Sequence, residues 1–153
     1  MISRRALDRL LGLVGRAVAS GARLLTGGAR QARPGWHLAP TLLTAVRPDM
    51  EVVREEIFGP VLPILAVDGA EEALALANAV DQGLAGYVFS GDPAAAARCA
   101  EGLACGSVLV NGVHFAIDLP HGGLKQSGVG CDCSALALDD YLDVKRITVR
   151  RGG

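Results

Sequence analysis

The strongest constraint on the fold is an alternation that occupies the middle of the chain. Val61 to Val67 is a continuous apolar run of strand length, interrupted by Pro63. It passes through Asp68, a side chain able to cap, into Ala70 to Val80, where helix-favouring residues place Leu74, Ala77 and Asn78 on one side. Gln82-Gly83 ends that helix, and the unit then repeats. Leu84 to Ser90 is rich in Val, Phe and Tyr, Asp92-Pro93 offers a cap with proline at the first helical position, Ala94 to Leu103 is helical, and Cys105 to Asn111 is a further strand. Strands alternating with helices of about ten residues call for crossover connections. The expected fold is therefore α/β, with alternating strands and helices and a largely parallel sheet.

The flanks are less regular. Leu7, Leu10, Leu11, Val14, Ala17 and Val18 follow helical spacing, so an amphipathic helix is expected at the start. Arg4, Arg5, Arg9 and Arg16 among leucines also suit a transit peptide, and Leu10 to Val14 a weak signal core, but Asp8 and Arg16 interrupt both. Arg23 to Thr26 reads as a short strand closed by Gly27-Gly28, and Gln31 to Gly35 as a polar loop. Trp36 to Val46 carries Pro40 near its middle, which demotes it to an edge strand or extended arm with Trp36 and His37 as packing residues. Beyond Asn111 the chain turns glycine-rich, yet no helix-opening G-x-G-x-x-G follows a strand, so a phosphate loop is not expected. Ala135 to Tyr141 looks helical, and Val144 to Val149 reads as a strand among Lys145, Arg146, Arg150 and Arg151.

Composition narrows the function classes. With 153 residues, 50% hydrophobic and 20% charged, the chain has apolar material for one ordinary core. A net charge of −1 supplies no basic field for a polyanion and 4% aromatics no stacking platform, so no nucleic-acid partner is expected. The longest stretch free of Asp, Glu, Lys and Arg, Gly102 to Ile117, is too short and too broken by glycine to span a bilayer, so no membrane partner is expected either. Cys99, Cys105, Cys131 and Cys133 are expected to be reduced, cytoplasmic thiols, since the chain can fold without disulfides.

The stretch with most chemical promise is Arg54-Glu55-Glu56-Ile57-Phe58-Gly59-Pro60. Two acids ahead of an apparently buried Phe suit a short helix stopped by Gly59 and Pro60. A carboxylate and an aromatic two residues apart on a rigid corner can take a sugar diol and a flat ring. The same spacing suits an exposed acidic turn with one core Phe, and spacing alone leaves both open.

The wording Glu55-Glu56-Ile57-Phe58-Gly59-Pro60-Val61 resembles the signature of the NAD(P)-dependent aldehyde dehydrogenases. The resemblance extends in order through Leu25-Thr26-Gly27-Gly28, Pro40-Thr41-Leu42-Leu43, Gly83-Leu84-Ala85-Gly86, Gly106 to Asn111, Pro120-His121-Gly122-Gly123-Leu124-Lys125-Gln126-Ser127-Gly128 and Asp140 to Lys145. It implies that residues 1–153 are the C-terminal part of a catalytic domain, with 143–150 an oligomerisation strand that adds to a neighbouring subunit; the plainer reading of that segment is a frayed, charged tail. It also implies NAD or NADP as cofactor, an aldehyde as substrate, and either a homo-oligomer or an N-terminal half as partner. Glu56 would hold the nicotinamide-ribose hydroxyls and Phe58 would pack beside the nicotinamide. Residues 112–121 would border the aldehyde tunnel, and the wording around His121 is similar to the aminobutyraldehyde and betaine-aldehyde branch, with Asp118 facing a cationic amine. The family's nucleophilic cysteine, general-base glutamate, oxyanion-hole asparagine and dinucleotide-binding domain lie upstream of the matched stretch, so no catalytic residue is expected here.

None of the four cysteines stands in the family's nucleophile context. Cys131-Asp132-Cys133 reads as a pair of loop thiols or half of a metal site whose partners would be distant histidines, so no metal is assigned. Relatives usually carry a basic residue at the position of Cys131, which leaves the ion pairing of that loop open. Lys125 and Ser127 read as loop-fixing residues.

Overall fold

The computed structural model describes residues 1–152, so that of the expected domain only Gly153 lies outside the described residues. The chain divides into two compact units, Met1–Val80 and Asp81 onward.

The first unit is organised on helix α1, Arg4–Ala19. The Ser3 hydroxyl accepts from the Ala6 N–H at 3.1 Å, satisfying one of the free donors at the helix start. Leu7, Leu10, Leu13, Val14 and Ala17 are buried along one face, each fully buried leucine contributing about 1.5–3 kcal/mol. Val18, expected on that face, is exposed, and Leu13 takes its place in the core. The helix closes in a Schellman turn: Ala22 N–H donates to Ala17 O and Gly21 N–H to Val18 O, both at 3.0 Å, with Gly21 at φ +103°.

A three-stranded sheet packs with α1 into one cluster. Strand β1 (Arg23–Thr26) runs antiparallel to β2 (Thr41–Thr44), which runs parallel to β3 (Val61–Pro63). The segment expected at a sheet edge is thus the central strand. Pro40 falls one residue before it and interrupts no ladder, while the Thr41 N–H donates to Pro60 O at 2.9 Å. Thr41 is fully buried, yet its hydroxyl accepts from the Gly28 N–H at 2.8 Å and donates to Ala39 O at 2.7 Å, so its burial carries no unsatisfied group. Trp36 packs at the rim of this core, with the Arg30 guanidinium 5.2 Å from its ring centroid. Helix α2 spans Glu51–Arg54 and α3 spans Ala70–Asn78. Gly69, rather than Asp68, stands at the N-cap of α3, and the Glu72 carboxylate accepts from the Asp68 N–H at 2.7 Å.

The second unit contains the expected crossover. Strand β5 (Ala85–Val88) pairs parallel with β6 (Ser107–Val110), joined by α4 (Pro93–Gly102). The Asp92 carboxylate accepts from the N–H groups of Ala94 and Ala95 at 2.8 and 3.3 Å, with Pro93 opening the helix. Around this unit β4 (Gln82–Gly83) pairs antiparallel with β8 (Leu124–Lys125), and β7 (His121–Gly122) with β9 (Cys131–Asp132). Gly106 is required where β6 begins, because a Cβ there would lie 1.8 Å from Gly122 O. Ala135–Tyr141 is a 3₁₀ helix, its first turn held by the Ser134 hydroxyl.

The architecture is mixed α/β. The expected single, largely parallel sheet is instead four small sheets among the described residues, parallel only at β2/β3 and β5/β6. The short returns of the glycine-rich segment after Asn111 pair antiparallel, as does β1 with β2 in the first unit. Residues 143–150 join no ladder, and Val144, Ile147 and Val149 are exposed.

Candidate functional site

Two constellations carry polar chemistry, one in each unit. In the first, α2 ends at Arg54 and Glu55 is already extended, its N–H donating to Glu51 O at 2.9 Å. The acids therefore follow the helix instead of opening it. Continuing the helix would set two carboxylates against its negative end, which the helix dipole opposes. From there the chain runs as an exposed corner to Pro60.

At that corner Phe58 has φ +51° and is 81% exposed, so of the two readings its spacing left open it is not a core Phe. A bulky residue in the left-handed region costs roughly 1–2 kcal/mol, and leaving a Phe in water forgoes roughly 1.5–3 kcal/mol of burial. Phe58 thus combines a strained backbone with a ring left in solvent. Glu56 is likewise exposed. The corner is fixed from behind by α1. Arg9 donates from both terminal guanidinium nitrogens to Glu56 O at 3.4 Å, and from Nη2 also to Ile57 O. Gly59 lies so close to the helix that a Cβ would stand 2.3 Å from Leu10 Cδ1.

Beneath the corner, Arg16 grips Glu51 through Nε and Nη2, each at 2.7 Å from a carboxylate oxygen. This hydrogen bond holds the Glu51 carboxyl below its ordinary value, with the Arg16 and Arg9 charges adding to it.

In the second unit a groove of about 400 Å³ runs between β5, β6 and the segment that follows. Tyr87, Ser107, His114, Phe115, Leu119 and His121 are among its walls, giving a largely apolar surface with a few hydroxyls and two imidazoles. His121 Nδ1 lies 2.8 Å from Asp132 Oδ1, and its ring meets Phe115 edge-on at 6.3 Å. Asp118, expected to face a substrate amine in the tunnel, is exposed and is not among the lining residues. Sequence reasoning overlooked Asp132 as the partner, because the β7/β9 register that sets Asp132 opposite His121 is not visible in spacing.

The remaining candidates are structural. Ser127 Oγ accepts from the Gly83 N–H at 2.9 Å, the loop-fixing role expected of it. Asn111, at φ +53°, clasps Ser90 by accepting from its N–H at 2.8 Å and donating to its carbonyl at 2.9 Å. The Cys105 thiol donates to Ser107 O at 3.2 Å. Desolvation first and the neighbouring Asp132 charge second push the Cys133 thiol up, away from the reactive thiolate. The Cys131 backbone N–H donates to the Asp140 carboxylate at 3.5 Å. Among the described residues no three His, Cys, Asp or Glu side chains cluster as metal ligands.

The profile described as the aldehyde dehydrogenase family matches residues 1–147. This chain belongs to the aldehyde dehydrogenase family. It is 46% identical over 148 residues to the mitochondrial succinate-semialdehyde dehydrogenase of Rattus norvegicus, covering 96% of this chain and 28% of that protein. It is 40% identical over 156 residues to the betaine aldehyde dehydrogenase of Agrobacterium fabrum, covering 99% of this chain and 32% of the relative. The crystal structure of the NAD-dependent aldehyde dehydrogenase from Sinorhizobium meliloti superposes with a TM-score of 0.89 at 39% identity, over 92% of this chain and 28% of that one. The aldehyde dehydrogenase chain described here thus spans about a third or less of the length of these relatives. No helix among its described residues is long and apolar enough to cross a membrane.

Proposed function

We propose that the chain forms the C-terminal part of the catalytic domain of an aldehyde dehydrogenase that oxidises an aldehyde to a carboxylic acid with NAD or NADP. The single observation carrying this reading is the corner at 55–60, where an exposed carboxylate and an exposed, left-handed aromatic stand two residues apart on a helix-braced turn. Glu56 accepts hydrogen bonds from the two hydroxyls of the nicotinamide ribose, and Phe58 offers its face to the nicotinamide ring. In the second unit the groove beside His121 borders the aldehyde, with its apolar walls excluding water. Asp118 serves a substrate amine from outside those walls.

The attacking thiolate and the water-activating base belong to domains that this chain complements, so the chain alone does not turn over aldehyde. Its four free thiols suit a reducing, cytoplasmic setting. The segment 143–150 pairs with a neighbouring subunit, a reading favoured by the exposure of Val144, Ile147 and Val149 on backbone that joins no ladder.

The test is a thermal melt followed at the near-UV signal of Trp36, with and without NAD. Binding to the folded state raises the midpoint as the ligand concentration exceeds its dissociation constant. Glu56→Gln, in the enzyme completed with its upstream domains, weakens cofactor binding by roughly 1.5–3 kcal/mol, the scale of a hydrogen bond to a charged group. Unchanged NAD kinetics in that variant would sink the ribose assignment. A second reading, a non-catalytic module that docks on a full-length relative through 143–150, is favoured if the chain associates through that segment and NAD leaves its melt unmoved.

A further inference from the structure

We infer that Arg9 is the positioning residue of the cofactor corner: from α1 it holds two consecutive carbonyls and thereby sets where the Glu56 carboxylate and the Phe58 ring stand. The inference rests on the cofactor reading of that corner.

The argument begins with what the corner lacks. After the Glu55 N–H closes α2, the carbonyls of Glu56 and Ile57 take part in no strand ladder, and their hydrogen bonds come from the Arg9 guanidinium. The next backbone ties are at Gly59, whose carbonyl accepts from the Val61 N–H at 2.8 Å, and at Pro60, whose carbonyl accepts from the Thr41 N–H at 2.9 Å. Between these points Phe58 sits in the left-handed region, a conformation that persists only when its surroundings over-determine it.

Arg9 is suited to that task by its place on α1. It directly precedes Leu10, which is 0% exposed, so its backbone rides on the best-buried helix of the unit. The same turn of α1 presses Leu10 against Gly59. The corner is therefore clamped on one side by the guanidinium fork and on the other by a core leucine, with Phe58 between the two. Among the described residues Arg9 forms no ion pair, unlike Arg4, Arg16 and Arg47 of the same unit. Its donors are spent on backbone.

A planar guanidinium spans two acceptors in a fixed geometry, whereas an ammonium offers a compact charge on a flexible stem. Arg9→Lys therefore preserves charge and most of the aliphatic packing but loses the two-carbonyl grip. That distinction separates a positioning role from a general electrostatic one.

The experiment uses the full chain with fluorophenylalanine at its three phenylalanines, Phe58, Phe89 and Phe115, each fluorine resonance being assigned by its Phe→Leu variant. Arg9→Ala is expected to shift or broaden the Phe58 resonance and leave those of Phe89 and Phe115 in place. Its melting midpoint stays within about 4 °C, the scale of a surface contact in a chain of this length. Arg9→Lys gives an intermediate Phe58 shift with the melt retained, so the result does not depend on the alanine variant folding. In an NAD titration of the Phe58 resonance, Arg9→Ala weakens binding about tenfold and Glu56→Gln by at least as much.

A Phe58 resonance unmoved in both Arg9 variants overturns the inference. Equal shifts at all three rings together with a lost melt in Arg9→Lys also overturn it, by making Arg9 an ordinary stabilising contact. If Arg9→Ala binds NAD as the unsubstituted chain does while Glu56→Gln binds weakly, the tether fails and the cofactor reading stands. If NAD moves the Phe58 resonance in neither the unsubstituted chain nor Glu56→Gln, the cofactor reading itself fails, whatever the Arg9 variants do to the free corner.

Discussion

Replacing Phe58 by glycine separates a ring that holds the fold together from one displayed for a ligand. Three terms decide its effect on stability. Relief of the left-handed backbone at φ +51° favours the variant by roughly 1–2 kcal/mol. With the residue 81% exposed, only about a fifth of a Phe burial energy is at stake, roughly 0.3–0.6 kcal/mol. The greater freedom of glycine in the unfolded chain costs roughly 0.5–1 kcal/mol. The sum lies within about 1 kcal/mol of zero, so the midpoint should move by no more than about 4 °C. A buried Phe truncated in the same way would cost about 3–5 kcal/mol. The assay is a melt at the Trp36 near-UV signal, paired with an NAD titration that should show binding weakened several-fold for want of the ring. A stability loss above about 3 kcal/mol would refute the exposed-ring geometry, and unchanged NAD binding would refute the use made of it.

Three further outcomes follow from the structure. Gly27→Ala should destabilise by about 1–3 kcal/mol in a denaturant titration, because its Cβ would stand 2.2 Å from Pro40 O at φ +78°, where neither backbone can yield freely. The Arg16 hydrogen bond lowers the folded-state pKa of Glu51 and so favours its carboxylate, whose stabilising effect is present above the ordinary glutamate value of 4.5 and is lost as pH falls through the lower folded value; Glu51→Gln should remove that part of the acid limb of a stability-against-pH curve and leave neutral-pH behaviour of the second unit unchanged. The isolated chain should bind a hydrophobic dye or self-associate in light scattering, and a monodisperse monomer without dye binding would contradict the reading of it as one part of a larger catalytic domain.

What the sequence made legible divides along local and non-local lines. Asp92 and Pro93 act through neighbours within a turn, so the start of α4 could be read from the residues themselves, whereas the Ser3 cap of α1 was not. The β5–α4–β6 crossover followed for the same reason, with each element announcing its own period. The misses involve partners far along the chain. Pro40 could not reveal that β2 begins one residue later and lies between two strands, nor could the acid pair show that a helix already ends at Arg54. Spacing left open whether Phe58 was a core ring or an exposed one, because the groups that meet its neighbours Glu56 and Gly59, Arg9 and Leu10, lie nearly fifty positions away. The pairing of His121 with Asp132 needed a register that only the folded ladder fixes.

The distribution of buried residues carries the same argument to the level of the whole chain. Of the thirteen buried hydrophobic side chains among the described residues, all but Ala96 belong to the first unit. The second unit instead exposes Phe89, Val113, Phe115 and Ile117, each at 70% or more. Two compact bodies of half this mass each would together expose about 8,800 Å² by the scaling of area with mass, whereas the chain exposes 10,983 Å². The excess, at roughly 2,000 Å², is the size of a substantial protein interface. A crossover motif with caps, clasps and a shaped groove but almost no core of its own is built to be covered. On the reading proposed here the cover is the remainder of the catalytic domain and a neighbouring subunit. Adding those upstream domains should therefore abolish the dye binding while Glu56 and Phe58, which the first unit already holds in place, keep their geometry.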